Sequence, residues 1–291
     1  MKLRKLNTQS PPINTQPMLN EVSGMSRFRG SYSLCGFITN VDENGQPYRK
    51  IGICDFNHHL FIHTRDMDKS LIDISPYSFI QCEVKNRNHQ SQQYHVADFV
   101  LPITKPIHSS IYMLPYRAAF YPRDVFKLVS FVEMIENLDL RQFITDVLLQ
   151  THVTLPYLRN PASSNHHHSF QGGLLRHSIE VVELALEQSP CCIEKDIIII
   201  IVIALLHDIG KVMTLSENMR LTEVGKLVEH DDLTLEICSD ALAGLSKKDA
   251  QLASILRHCW TCASPNARYG YQPKYRAAKI VMEADGKNSR L

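Results

Sequence analysis

The chain carries fourteen histidines, and eight of them fall after residue 150. Four of the eight lie on or beside separate apolar-periodic stretches: His177 in LLRHSIEV, His207 in ALLHDIGK, His230 in GKLVEHDD and His258 in SILRHCW. Asp208 follows His207 directly, and Asp285 sits in VMEADGK. One histidine on an apolar helix is more often a satisfied core or surface residue than a ligand, but four on four stretches, with two aspartates, form a constellation. Neutral imidazole and carboxylate together suit Mn, Fe, Mg, Co or Zn, and no compact cysteine set points to a structural zinc. An adjacent His-Asp pair at a helix end offers a ligand to each side, so one carboxylate can bridge two ions about 3.5 to 4 Å apart. Such a pair acidifies a water and stabilises both oxygens of an in-line displacement at phosphorus. One or two divalent ions are therefore the expected cofactor, held by His177, His207, Asp208, His230, His258 and Asp285. Lys211, one helical turn beyond Asp208, offers a point charge to a phosphate oxygen or a ligand carboxylate. Its plainer role is that of a helix-terminal lysine on the dipole. Asp208 and Lys211 are the catalytic candidates.

The elements that must position these residues follow from periodicity. Apolar residues recur at three- and four-residue intervals over 123–137, 140–150, 174–188, 196–208, 222–243, 247–260 and 273–288, which predicts an all-α bundle over 123–291. The run 197–206 is ten apolar residues long, short of the roughly 18 that span a membrane, and is expected as a buried core helix. From 28 to 103 the pattern is short and alternating. Tyr32, Leu34, Gly36 and Ile38 share one face of a first strand, and Asp42-Glu43-Asn44-Gly45 turns the chain into a second strand over 49–55. Further strands are expected over 58–63, 78–85 and 94–101. Five short strands in about 75 residues predict a small closed barrel of the OB type. Residues 1–27, polar with prolines at 11, 12 and 17, read as a flexible tail, and 104–122 as a connection. The fold class is thus α+β in two domains, an OB-like barrel followed by a helical bundle.

Composition narrows the function. The 291 residues and 33.2 kDa accommodate two domains. A formal net charge of +1 provides no global field toward nucleic acid or an anionic membrane. The eight cysteines lack paired spacing, and the N-terminus has basic residues without an apolar core, so an intracellular, cytoplasmic protein with reduced thiols and no membrane partner is expected. OB barrels often present aromatics to single-stranded RNA or DNA, and Tyr48, Phe56, Phe61 and Tyr94, with Arg49, Lys50, Lys85 and Arg87 nearby, are the candidates. Tyr48, Lys50, Phe61 and Tyr94 lead that group. Seven basic against eight acidic residues over 28–103 argue the other way, as does the commoner fate of barrel aromatics as core.

The order His177, His207-Asp208, Asp285 resembles the HD superfamily of metal-dependent phosphohydrolases, with HDIGK its most specific short piece. The added His230 and His258 match members that bind two or more metals. HHHSFQGGLLRHSIEVVELA, ALLHDIGKV, EVGKLVEH, ILRH and EAD are similar to two relatives within it. One is the YhaM-type 3′→5′ exoribonuclease, whose barrel opening GSYSLCGFITN, NGQPY and IGICD also resembles. The other is the HD-type relaxase module, of the TraI type, found in conjugative elements. The resemblance implies that at least one of His166, His167 and His168 faces the metal pocket, His167 first among them, and that Gly172-Gly173 lets backbone approach a phosphate. Against this stands a solvated loop. Where the exonuclease-like pattern carries a doubled histidine, this chain has His258-Cys259. Either Cys259 substitutes as a thiolate or the site holds fewer ions. Cys259-Trp260-Thr261-Cys262 is a weak zinc signal, and a relaxase would need a tyrosine nucleophile, for which Tyr269, Tyr271 and Tyr275 are the nearest. The expected function is a metal-dependent phosphodiesterase of single-stranded nucleic acid, 3′→5′ exonuclease-like. A relaxase-like DNA-processing protein, a small-molecule nucleotidase and a degenerate binding module are the rivals.

Overall fold

A computed structural model describes residues 16–67, 74–89, 92–107, 109–165, 167–190, 192–263 and 267–290. The chain divides into two compact units. The first holds residues 1–54, 58–102 and 106–108; the second holds 55–57, 103–105 and 109–291.

The first unit is a closed five-stranded barrel. Its strands are β1 (Arg27–Val41), β2 (Pro47–Cys54), β3 (His59–Thr64), β4 (Phe79–His89) and β5 (Gln92–Pro102), in the order β1-β2-β3-β5-β4. Closure removes every free strand edge, and the β3–β5 pair that achieves it is the parallel one. Tyr32, Leu34, Ile51, Ile53, Ile62, Ile80 and Val84 fill the interior. The expectation that Tyr32, Leu34, Gly36 and Ile38 share a face fails at a β-bulge. Leu34 pairs with Ile53 but Gly36 with Gly52, so Cys35 is an extra residue in β1 and the alternation inverts beyond it. Gly36 takes φ +148°, which only glycine adopts without strain. Tyr32 and Leu34 therefore point inward while Ile38 is 56% exposed.

Within the flexible tail expected over 1–27, residues from Gln16 onward pack against the barrel instead. Leu19 and Val22 are buried in the barrel core, and the Gln16 amide brackets the Ser31 backbone, accepting from its N–H at 2.8 Å and donating to its carbonyl at 2.7 Å. The Tyr32 hydroxyl donates to the Pro17 carbonyl. Residues 1–15 lie outside the described residues.

The second unit is helical: α1 (Pro122–Glu133), α2 (Leu138–Leu148), α3 (Thr151–Arg159), α4 (Gly173–Glu187), α5 (Glu194–Leu206), α6 (Lys211–Thr214), α7 (His230–Lys248), α8 (Ala250–Thr261) and α9 (Arg276–Asn288). Within the expected connection, Ile111, Met113 and Ala118 are buried in short 3-10 turns of this unit. The sequence reading missed α3, whose THVTLPYLR combines β-branched residues with Pro156 inside the helix. Packing overrides those propensities, because Val153, Tyr157 and Leu158 are buried. α5 is the central helix. Ile198 through Leu206 are buried on every side, which is why this segment lacks a one-sided apolar stripe. Each such aliphatic side chain contributes about 1.5–3 kcal/mol by leaving water. The helical stretch Glu194–Thr214 is long and apolar enough, by length and composition, to cross a membrane, yet 72% of its apolar window is buried inside the fold.

Candidate metal centre

Four elements converge on one open cavity of about 1240 Å³ in the helical unit. His177 comes from α4, His207 and Asp208 from the turn after α5, His230 from the first position of α7, and Asp285 from α9. Two close backbone approaches bring them together. An added Cβ on Gly210, in the HDIGK segment, would meet the His230 carbonyl oxygen at 1.9 Å, so only glycine lets α7 begin directly against the Asp208 turn. The expected helix over 222–243 accordingly starts eight residues late, at His230, after a bridge between Leu215 and Leu221 and a 3-10 turn at Val224–Lys226. At the head of α4, a Cβ on Gly173 would meet the His168 carbonyl oxygen at 2.1 Å. Gly172, at φ +80°, turns the chain into the helix. Gly173 thus receives the chain's own His168 backbone, while Gly172 faces the Tyr121 and Phe120 side chains.

Hydrogen bonds outside the cluster fix how the imidazoles face it. Asn288, at the end of α9, donates from Nδ2 to Glu180 Oε2 at 2.9 Å, which leaves its Oδ1 to accept from His177 Nδ1–H at 2.7 Å. His207 Nδ1–H donates to the Ala204 carbonyl at 2.7 Å. Both rings therefore present Nε2 inward, and those two atoms lie 3.1 Å apart. The Asp208 carboxylate, 5% exposed, is divided between two groups. Its Oδ2 stands 3.2 Å from His177 Nε2 and 3.5 Å from His207 Nε2, and accepts from the Lys211 ammonium. Its Oδ1 stands 3.1 Å from His230 Nε2. Asp285 Oδ1 completes the first group, 3.2 Å from His177 Nε2 and 3.7 Å from His207 Nε2.

The electrostatics follow from this crowding. Burial pushes the Asp208 carboxyl upward, but His207, Lys211, His177 and His230 outweigh it and hold the group well below the usual carboxylate range. Asp285 is lowered against its own burial by hydrogen bonds from His177 and His207. Burial opposes protonation of His177, yet Asp208 and Asp285 raise it to about 9. His230 is raised, again against burial, by Asp208. Without a cation these protons neutralise the carboxylates. A divalent ion fits the donor set of two Nε2 atoms and two carboxylates, and would take over that task with release of the protons. The ligand atoms of His177, His207 and Asp285 lie within 4.8 Å of one another, as do those of Asp208, His230 and Asp231.

The remaining candidates separate. His167 and His168 line the cavity, while His166 lies outside the described residues. His168 is held by Glu180 at 2.8 Å, its ring 5.3 Å from that of His177 and its pKa lowered by burial despite Glu180. His258 is not brought to the cluster: its Nε2 accepts the Lys274 backbone N–H at 2.9 Å and its ring packs on Tyr275. Cys259 lines the cavity, and burial pushes its thiol up to about 12. Its CxxC partner Cys262 donates weakly to the Cys259 carbonyl. Tyr269 and Tyr271 are exposed. On the barrel, Tyr48 and Lys50 share the outer face of β2 with Phe61 of β3, and the Lys50 ammonium sits 4.3 Å from the Phe61 ring centre. Tyr94 of β5 joins Tyr48 in a separate depression of about 1140 Å³ that also exposes Asp42, Asp66 and Asp98. Two expected surface groups are buried instead. Arg49, 2% exposed, points inward after the alternation of β2 and donates to the Met67 carbonyl. Phe56 packs edge-on against Tyr112 and Phe126 and obliquely on Tyr116 within the helical unit. Lys85 is paired with Asp98.

Sequence reasoning passed over Asn288, Glu180, Gly210 and Asp231. Asn288 was legible in part, since it follows Asp285 by three residues and so shares its helix face.

This side-chain arrangement lies in a stretch of the chain that matches a known family model. Residues 174–287 match the HD domain model, and residues 109–193 match a second family, TraI_2, described as a putative helicase. Among curated proteins the chain is similar to a dihydroneopterin 2′,3′-cyclic phosphate phosphodiesterase of Methanocaldococcus jannaschii, with 31% identity over 136 residues, covering 42% of this chain and 53% of that one. It is also similar to the 3′-5′ exoribonuclease YhaM of Listeria welshimeri (28% over 165 residues, 55% and 51%) and to that of Shouchella clausii (29% over 160 residues, 52% and 48%). Each match spans about half the length of the relative. These relatives are named as hydrolases of phosphodiester bonds.

Proposed function

We propose that the protein is a metal-dependent phosphodiesterase acting on single-stranded nucleic acid, with 3′→5′ exonuclease-like polarity, and that it works in the cytoplasm. The observation that carries the reading is the divided carboxylate of Asp208, one oxygen toward His177 and His207 and the other toward His230. His177, His207, Asp208, Asp285 and His230 hold the metal. A divalent cation there would acidify a water and offset charge developing on the phosphoryl oxygens. Asn288 and the Ala204 carbonyl hold the two imidazoles in the binding tautomer, so little reorganisation accompanies loading. Lys211 fixes the Asp208 carboxylate and adds a positive charge at the edge where a phosphate would enter. The paired Lys50 and Phe61 on the barrel suit stacking of a base with a nearby phosphate, which favours a polymer.

Asp208→Ala tests the assignment. It is expected to abolish manganese-dependent digestion of end-labelled RNA or DNA with an unchanged circular dichroism spectrum, and full activity in that variant would overturn it. A small-molecule phosphodiesterase is the second reading, favoured by the similarity to the M. jannaschii enzyme. It predicts that Phe61→Ala and Lys50→Ala leave turnover untouched, whereas a polymer substrate is bound more weakly by both.

A further inference from the structure

The resemblance adds His230 and His258 as ligands of a site with two or more metals, and the structure brings only His230 to the cluster. His258 has its Nε2 occupied by the Lys274 amide. Asp231 stands where a second donor is needed, its Oδ1 3.3 Å from His230 Nε2 and its ligand atom within the same 4.8 Å group as those of His230 and Asp208. Resting on the metal-dependent reading above, we propose that Asp231 replaces His258 and completes a second, oxygen-rich cation site with Asp208 Oδ1 and His230 Nε2.

The two sites then differ in kind. The first has two imidazoles locked by Asn288 and the Ala204 carbonyl. The second has one imidazole and two carboxylates, a harder set that suits Mn or Mg over Zn. Asp231 is 77% exposed, so ordering its side chain opposes binding. The positive end of the α7 dipole, at the same helix start, also disfavours a cation. The second ion is therefore the weaker and more exchangeable. An alternative role for Asp231 is simply to satisfy that dipole from the first turn of α7, a role Asp232 shares. Asp232 lines the cavity without belonging to the ligand group, which makes it the control.

The test titrates the metal-free full-length chain with Mn(II) and counts bound ions from the loss of the free-manganese electron paramagnetic resonance signal. Wild type is expected to bind about two ions in a tight and a weaker class. Asp231→Asn should keep the tight class and weaken the other at least about tenfold, while His258→Ala and Asp232→Asn should keep both. Loss of the weaker ion in His258→Ala with both retained in Asp231→Asn would overturn the proposal, as would equal losses in Asp231→Asn and Asp232→Asn. A wild type that binds one ion, unaffected by Asp231→Asn, defeats the second site alone. A wild type that binds none defeats the metal-dependent reading itself.

Discussion

Replacing Asn288 with alanine removes the acceptor of His177 Nδ1–H while leaving every ligand in place. The His177 side chain is only 6% exposed, so water cannot freely substitute. An unsatisfied buried donor costs about 1–3 kcal/mol, and metal-free Asn288→Ala should lose stability in that range. The proton on Nδ1 is then no longer favoured over one on Nε2, so a cation must first win the correct tautomer. Loss of an outer partner of this kind lowers metal affinity roughly 10- to 100-fold, or about 1.4–2.8 kcal/mol. Calorimetric titration with Mn(II) reads the affinity, urea unfolding reads the stability, and nitrogen-resolved NMR of the imidazole reads the tautomer. Asn288→Asp keeps an acceptor for His177 but loses the donor to Glu180, so it should preserve the tautomer and recover much of the affinity. Manganese affinity within about twofold of wild type in Asn288→Ala, with Nδ1 still protonated, would refute the argument that Asn288 orients the ligand.

Gly210→Ala forces a Cβ against the His230 carbonyl, where it would sit at 1.9 Å. Since overpacking costs about 1–3 kcal/mol, both thermal stability and the affinity for a second ion should fall, the latter read by the same manganese titration. The metal-free protein should lose stability as pH rises. His177 is raised from about 6.5 to about 9, so its contribution is complete below about 6.5 and disappears as the folded form releases its proton near 9. Manganese affinity should increase over the same interval, because the ion displaces that proton; chemical denaturation and metal titration between pH 6 and about 9.5 check both slopes. Phe61→Ala on the barrel should weaken binding of a fluorescent single-stranded oligonucleotide by about 1–3 kcal/mol, as expected for loss of one stacked base.

Much of this arrangement was legible because its determinants are local. The 3.6-residue periods of α4, α7, α8 and α9 and the alternation of the barrel strands follow from which face must be dry, and HDIGK places an acid beside an imidazole wherever it folds. The misses arise where a non-local contact decides. Nothing in Tyr32-Ser33-Leu34-Cys35-Gly36 announces that β2 will skip Cys35, yet that bulge sends Ile38 outward. Pro156 and three β-branched residues argue locally against α3, and burial of Tyr157, whose hydroxyl donates to the Leu205 carbonyl, outweighs them. His258 has the residue type and spacing of a ligand, but its acceptor nitrogen is taken by an amide sixteen residues on, a pairing set by the path of the chain between α8 and α9.

The charge balance limits how any nucleic acid can be held. A chain of net +1, with a barrel segment of seven basic and eight acidic residues, cannot rely on releasing many counterions from a phosphate backbone. Several of the barrel's cations are already committed: Arg27 and Lys85 to Asp98, Arg65 to Asp42, and Arg49 to the interior. Lys50 remains on the outer face, over Phe61 and beside Tyr48 on the same side of β2. That geometry suits a base stacked on an aromatic with one phosphate near one ammonium, a short-range grip that is sequence-tolerant and, with a single phosphate contact, only weakly salt-dependent. At the other unit Lys211 and the protons on His177 and His230 offset the carboxylates of Asp208, Asp285 and Asp231, so the metal-free pocket offers a phosphodiester little net attraction. On the proposed reading, metal loading would therefore do two things at once: it would supply the chemistry and add positive charge to the pocket, so that substrate binds the loaded site better.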